Sequence, residues 1–230
     1  MCETCGCGDP RLVPVDVHDS ILSANDAQAD HNRRHFTEAG VLAINLMGSP
    51  GSGKTALLEA TARAHDGLRL GAVSGDLATD HDSRRLARAG IDAQSITTGN
   101  TCHLDADMVH QALHHADWRA QDIFFVENVG NLVCPAVYDL GQAANVVALA
   151  VTEGEDKPLK YPVMFRRADL VVLTKVDLLP HLPEYDLNEV REALGRVMPD
   201  PRMIQISATT GQGLGDWMGW LESARQSRRK

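Results

Sequence analysis

From residue 41 onward, short apolar runs alternate with longer stretches of mixed polarity. Runs at 41–46, 70–73, 94–97, 123–126, 146–151, 170–173 and 203–206 are rich in Val, Ile, Leu and Phe. Several are unbroken rather than alternating, as in strands covered on both faces. The stretches between them predict helices that open at Lys54, near Asp105, near Asp186 and near Gly213, with Asp105 and Asp186 as N-caps. Strand and helix in turn imply βα units and an α/β fold built on a mostly parallel sheet of about seven strands with flanking helices.

Ahead of residue 41 the pattern differs. Residues 1–8 are a segment of cysteine and glycine; residues 9–40 are polar and read as a linker with one helix over about 20–39. The domain itself spans 41–224, and 225–230 is a basic tail expected to be a solvated helix end. The net charge of −9 disfavours nucleic acid and anionic membranes as partners. No apolar stretch reaches membrane-spanning length, and no basic segment followed by an apolar run opens the chain. We therefore expect a cytoplasmic protein, whose five cysteines are metal ligands or reactive thiols before they are disulfides.

The sharpest motif is Gly48-Ser49-Pro50-Gly51-Ser52-Gly53-Lys54-Thr55, which satisfies G-x-x-x-x-G-K-[ST] between an expected strand and an expected helix. Glycines let backbone N–H groups converge on phosphate oxygens, and the helix N-terminus adds a favourable dipole. Gly48, Gly51, Ser52, Gly53, Lys54, Thr55 and Ala56 are thus the candidate phosphate contacts. Lys54 is expected on the β- and γ-phosphates, and Thr55 on Mg²⁺.

Two later segments address the base. Thr174-Lys175-Val176-Asp177 follows an apolar run and is similar to N-K-x-D, with Thr174 where Asn is usual. The Asp177 carboxylate can accept from guanine N1–H and the 2-amino group, whereas adenine would leave it unpaired. Ser207-Ala208-Thr209 is similar to the S-A-[KT] loop that meets the guanine oxygen. Together they favour GTP over ATP.

Carboxylates complete the expected site. Glu127 ends an apolar run, where a second Mg²⁺ group belongs, and Glu127-Asn128-Val129-Gly130 reads as E-x-x-G with Gly130 N–H toward the γ-phosphate. Asp76 also follows a strand and can bind Mg²⁺ or orient water. Lys54, Asp76 and Glu127 are the candidate catalytic residues.

Metal ligands fall in two places. Cys2-x-x-Cys5-x-Cys7 gathers three soft thiols into six residues, suited to zinc, copper(I) or nickel, with a redox pair as the rival. Cys102, His103 and Cys134 are far apart in sequence, but each follows a strand. Parallel strands share one C-terminal edge, which would bring all three near the nucleotide. His114 and His115 read as surface groups on a helix.

The chain resembles the HypB family, the GTPases of hydrogenase nickel incorporation. The resemblance rests on Cys2-Glu3-Thr4-Cys5-Gly6-Cys7, the P-loop, the segment from Thr98 to Asp105, Glu127 to Pro135, and Thr152 to Pro162. It implies a P-loop GTPase of the SIMIBI type that converts GTP to GDP with Mg²⁺. It further implies nickel at Cys2, Cys5 and Cys7, and nickel or zinc at Cys102, His103 and Cys134. A homodimer linked to GTP and metal is implied, with a small hydrogenase-maturation metallochaperone and the hydrogenase large subunit as partners. Many relatives carry a histidine-rich stretch before the GTPase domain; here only His18, His31 and His35 stand there, which speaks against nickel storage. The alternatives are a related GTPase serving another nickel enzyme such as urease, whose Cys-Pro-His motif is not matched by Cys102-His103, and a nucleotide-regulated storage or sensor protein.

Overall fold

A computed structural model describes residues 15–65, 67–76, 80–99 and 101–228, with the side chains of 15–21 and 228 left aside. Seven strands form one sheet: β1 (Leu42–Met47), β2 (Leu70–Asp76), β3 (Asp92–Thr97), β4 (Ile123–Glu127), β5 (Ala144–Ala150), β6 (Leu170–Thr174) and β7 (Met203–Ile206). Their order is β3-β2-β4-β1-β5-β6-β7, and every pairing is parallel. The helices are α1 (Val15–Ala39), α2 (Lys54–Ala64), α3 (His81–Arg88), α4 (Ala106–Leu113), α5 (Lys157–Lys160), α6 (Pro162–Arg166), α7 (Leu187–Val197) and α8 (Leu214–Arg228). All seven expected strands are present, with ends moved by up to three residues.

The period-2 geometry of β1 shows how the layers form. Leu42, Ile44 and Leu46 face a core shared with Leu57 and Leu58 of α2 and Trp217 and Leu221 of α8. Ala43 looks to the other face, where Phe36 of α1 and Val109 of α4 pack, and Met47 joins Phe165 of α6 and Leu194 of α7. The indole N–H of Trp217 donates to Thr61 Oγ1 at 2.8 Å, so α8 is locked to α2 without an orphaned buried donor.

α1 begins five residues before the expected position and is part of the domain rather than a helix within a linker. Its buried Asn25 and Asn32 reach across to α4: Asn25 Oδ1 accepts from Ala106 N (2.9 Å), and Asn32 Nδ2 donates to Ala106 O (2.8 Å). Phe36 is fully buried against Trp118 and Phe124, a contribution of about 2–3 kcal/mol. At the other end α8 runs to Arg228, so the first part of the expected tail is helical; Arg225 pairs with Asp122 and Glu222. Arg229 and Lys230 lie outside the described residues. Among the described residues no helix is long and apolar enough to cross a membrane.

Candidate nucleotide and metal site

The P-loop leaves the C-terminal end of β1, at the centre of the sheet, and turns directly into α2. Gly48 (φ 147°) cannot carry a side chain, because a Cβ would stand 2.4 Å from Ala148 O. Gly53 (φ 91°) caps α2 in the left-handed region, open to glycine at little cost. Beside this loop is a cavity of about 480 Å³ lined by Lys54, Thr55, Asp76, Glu127 and Gly130.

Charge is deeply buried here. Lys54 Nζ donates to Gly48 O and Ser49 O, both at 3.2 Å. Burial pushes its pKa down, against the pull of Glu127. Glu127 is 3 % exposed. Burial holds its carboxyl above the usual carboxylate range, although the Thr55 hydroxyl and the Lys54 ammonium oppose the shift. Thr55 Oγ1 donates to Glu127 Oε1 at 2.6 Å, while Glu127 Oε2 is buried with no hydrogen-bond partner. An orphaned buried carboxylate oxygen beside a hydroxyl, with Asp76 on the same wall, is the donor set a hard divalent cation takes, so the residues fit Mg²⁺.

A second cavity of about 260 Å³ shares Gly53 and Ala56 with the first and is lined by Thr174, Lys175, Asp177, Ala208 and Thr209. Thr174 Oγ1 donates to Ser52 O at 2.6 Å, so a hydroxyl ties this segment to the P-loop where Asn is usual. Lys175 (φ 59°) is the one non-glycine in the left-handed region among the described residues. Such strain costs on the order of 1–3 kcal/mol and persists where the surroundings impose it. Ser207 is fully buried, and its Oγ accepts from Thr210 N at 3.0 Å, which shapes the loop carrying Ala208.

Cys102, His103 and Cys134 meet, with their ligand atoms all within 4.8 Å of one another. Cys102 Sγ lies 2.8 Å from Cys134 Sγ, longer than the roughly 2.05 Å of a disulfide. The hydrogen bond from Cys102, then burial, raises the Cys134 thiol. Burial lowers His103, favouring the neutral ring, and Tyr138 stacks on it at 4.0 Å. Two thiols and a neutral imidazole suit nickel or zinc. Cys2, Cys5 and Cys7 lie outside the described residues.

Asn128 joins the two sites. It is buried, donates to Asn45 Oδ1 (3.2 Å) and accepts from Leu104 N (3.1 Å), beside His103. Asn131 bridges to Gly48 and donates to Cys102 O at 3.4 Å. A Cβ on Gly130 would meet Pro50 Cα at 2.9 Å, so the loop leaving β4 lies directly on the P-loop.

The model of the CobW/HypB/UreG nucleotide-binding domain matches residues 42–205. Hydrogenase maturation factor HypB of Rhizobium leguminosarum bv. viciae is 49% identical over 227 residues, 97% of this chain and 74% of that protein. The chain belongs to the HypB family. The HypB of Escherichia coli K12 is 43% identical, over 96% of this chain and 75% of its own. Among solved structures, HypB from Helicobacter pylori in complex with nickel gives a TM-score of 0.84 at 36% identity, over 89% of this chain and 96% of its own. The fold is that of P-loop GTPases.

For this HypB-family chain, sequence reasoning missed Asp82 and Arg85. Both line the phosphate cavity from α3, and Arg85 forms a two-point pair with Glu59 at 2.8 and 3.0 Å. The segment His81-Asp82-Ser83-Arg84-Arg85 lacks an apolar stripe, so periodicity could not announce the helix. The available signal was its place just after β2, at the edge shared by the P-loop.

Proposed function

We propose that this chain hydrolyses GTP to GDP and phosphate and, as a nickel metallochaperone, helps deliver nickel to the active site of [NiFe] hydrogenase during maturation. The observation that carries the reading is the pairing of a phosphate cavity with a thiol–imidazole group hung on the same loops. In the reaction Lys54 exchanges its bonds to the P-loop carbonyls for the β- and γ-phosphate oxygens. Thr55 and Glu127, with Asp76, would hold Mg²⁺, which when bound neutralises charge developing on the phosphates. Gly130 N–H turns to the γ-phosphate, and Asp177 holds the guanine edge between Lys175 and the Ser207–Ala208 loop.

Nickel is cargo. Cys2, Cys5 and Cys7 form its tightest site; Cys102, His103 and Cys134 form a second, with zinc as the alternative ion. Closure of the Gly130 loop around GTP moves Cys134 four residues on, so nucleotide state and metal affinity are linked. Exposed Val133, next to Cys134, suits a surface that a second copy covers, in a homodimer linked to GTP and metal. The setting is the cytoplasm, and the partners are a small maturation metallochaperone and the hydrogenase large subunit. Relatives from Helicobacter are named hydrogenase/urease maturation factor HypB, which favours a second reading in which nickel also reaches urease.

The test pairs two measurements on purified full-length protein. Phosphate release from GTP should be present and should fall with Lys54→Ala. Nickel affinity, in a form with Cys2, Cys5 and Cys7 changed to Ala, should differ between GDP and a non-hydrolysable GTP analogue by about 5- to 150-fold. No GTP turnover, or equal affinities that Cys102→Ala leaves unaltered, would overturn the reading.

A further inference from the structure

Four histidines meet on the face of the domain formed by α1 and α4, and the nucleotide site uses none of them. His31 and His35 are four residues apart on α1; His110 is on α4, and His114, four residues on, is its C-cap and keeps helical backbone angles. That spacing puts each pair on one face of its helix, and the two faces oppose each other. The ligand nitrogens of His31, His35 and His110 all lie within 4.8 Å of one another. Ring centroids stand 4.2 Å apart for His31 and His35 and 5.0 Å apart for His31 and His110. His114 Nε2 lies 3.3 Å from His110 Nε2. Two nitrogens held by one tetrahedral ion at about 2.0–2.1 Å sit roughly 3.3–3.4 Å apart.

We propose that His31, His35, His110 and His114 form a separate binding site for a divalent ion of borderline softness, nickel or zinc.

The supporting groups are those of a built ligand set. Asn32 is fully buried and anchored by its amide to Ala106 O and Leu140 O. Its Oδ1 lies 3.1 Å from His110 Nδ1. An acceptor there fixes the Nδ1–H tautomer and leaves Nε2 with its lone pair toward His114. This is how outer residues orient metal-binding imidazoles. Trp118 stacks on His35 at 5.9 Å and limits its rotation. His31, His35 and His110 are half-buried and His114 is exposed, so an ion can enter from solvent.

Electrostatics point the same way. Burial, then neighbouring His31 and Arg119, lower His35, with Arg34 adding to this and Glu38 opposing it. Burial, then His114, His31 and His35, lower His110, with Asp107 opposing. At His35 and His110 this favours the neutral ring, which is the ligand form. The identified ligands are all imidazoles, a choice that suits nickel, zinc or copper(II) and not magnesium or calcium. α4 starts three residues after His103, so this site and the thiol site occupy one helix and its approach. It would serve as an ancillary holding place for the same cargo.

The experiment is equilibrium dialysis of the full-length chain against Ni²⁺ and, separately, Zn²⁺, with metal per chain counted. H31Q/H35Q and H110Q/H114Q should each lose the same one equivalent, or weaken it by about tenfold or more. The fourfold variant should lose no more than either pair. C102S/C134S should keep that equivalent, and GTP hydrolysis should be unchanged in the histidine variants. If a pair variant fails to fold by circular dichroism, exposed H114Q carries the test together with X-ray absorption of metal-loaded chain in which all five cysteines are Ser. That spectrum should show imidazole nitrogen around the ion. Stoichiometry equal to wild type in the histidine variants, or no imidazole-bound metal in the cysteine-free chain, would overturn the proposal.

Discussion

The two halves of the nucleotide site are built on opposite terms. At the phosphate end, Lys54 and Glu127 are both buried, both have pKa values pushed toward neutrality, and one Glu127 oxygen has no partner. At the base end, Asp177 is only half-buried, and the loop is held by hydrogen bonds that need no ligand, from Thr174 to Ser52 and from Thr210 to Ser207. A buried charge without full compensation is costly. On the function proposed above, the phosphate end is the half that a nucleotide and its cation would complete, and the base end is the half that would select. The thiol–imidazole group hangs on the incomplete half, which is where a change of state would be felt.

Breaking the phosphate end should have the largest effect. Lys54→Ala should lower GTP turnover by about 10²–10³-fold, the scale of losing one preorganised charge-stabilising donor, read by phosphate release. At the base end, Asp177→Asn should weaken GTP binding by about 2–4 kcal/mol, because an acceptor for two donors becomes a mixed group; GTP titration of both proteins checks it. Thr174→Val sharpens the contrast. It removes the tie to Ser52 O and the longer contact with Leu149 O and should cost about 1–2 kcal/mol in GTP affinity, with turnover of bound GTP nearly unchanged. A fall in turnover as large as that of Lys54→Ala would erase the division between the halves.

The smallest effect lies at the N-terminal ends of the strands, opposite the P-loop, where Asp122 leads into β4. Burial disfavours the Asp122 carboxylate, yet hydrogen bonds from Arg69 and the charges of Arg69 and Arg225 hold its pKa below the ordinary 3.8. A depressed carboxylate contributes stability that is present above its unfolded pKa and lost as pH falls through the folded one. Asp122→Asn should therefore cost about 1 kcal/mol at neutral pH, and the gap should close below about pH 4 in urea melts.

Local chemistry made much of this molecule readable. The P-loop motif defines its own turn, because Gly48 and Gly53 take backbone angles and close approaches that other residues resist. Short apolar or β-branched runs, several of them unbroken, marked the seven strands, and Asp105 and Asp186 cap α4 and α7 by accepting from Met108 N and Asn188 N. The residues of α3 were not readable, since a helix with four charged residues among eight carries no apolar stripe. Nor was the docking of α1, where buried Asn25 and Asn32, residues that a hydrophobicity pattern counts as exposed, join Ala29 and Phe36 on the inward face.

The sequence by itself determined which groups exist and in what local frame. A phosphate-loop motif, an aspartate in a segment similar to N-K-x-D, a carboxylate at a strand end, and cysteines placed after strands all follow from spacing and residue chemistry. Only the tertiary structure decided which of them meet. The parallel order of the sheet brings Cys102 to Cys134 across 32 positions and sets Asn128 between the phosphate cavity and His103. The packing of α1 on α4 turns histidines 79 positions apart, His31 and His110, into neighbours. The physical reason is that spacing along a chain fixes contacts only within a turn or a strand pair. Long-range contacts are chosen by which buried faces the whole fold must cover.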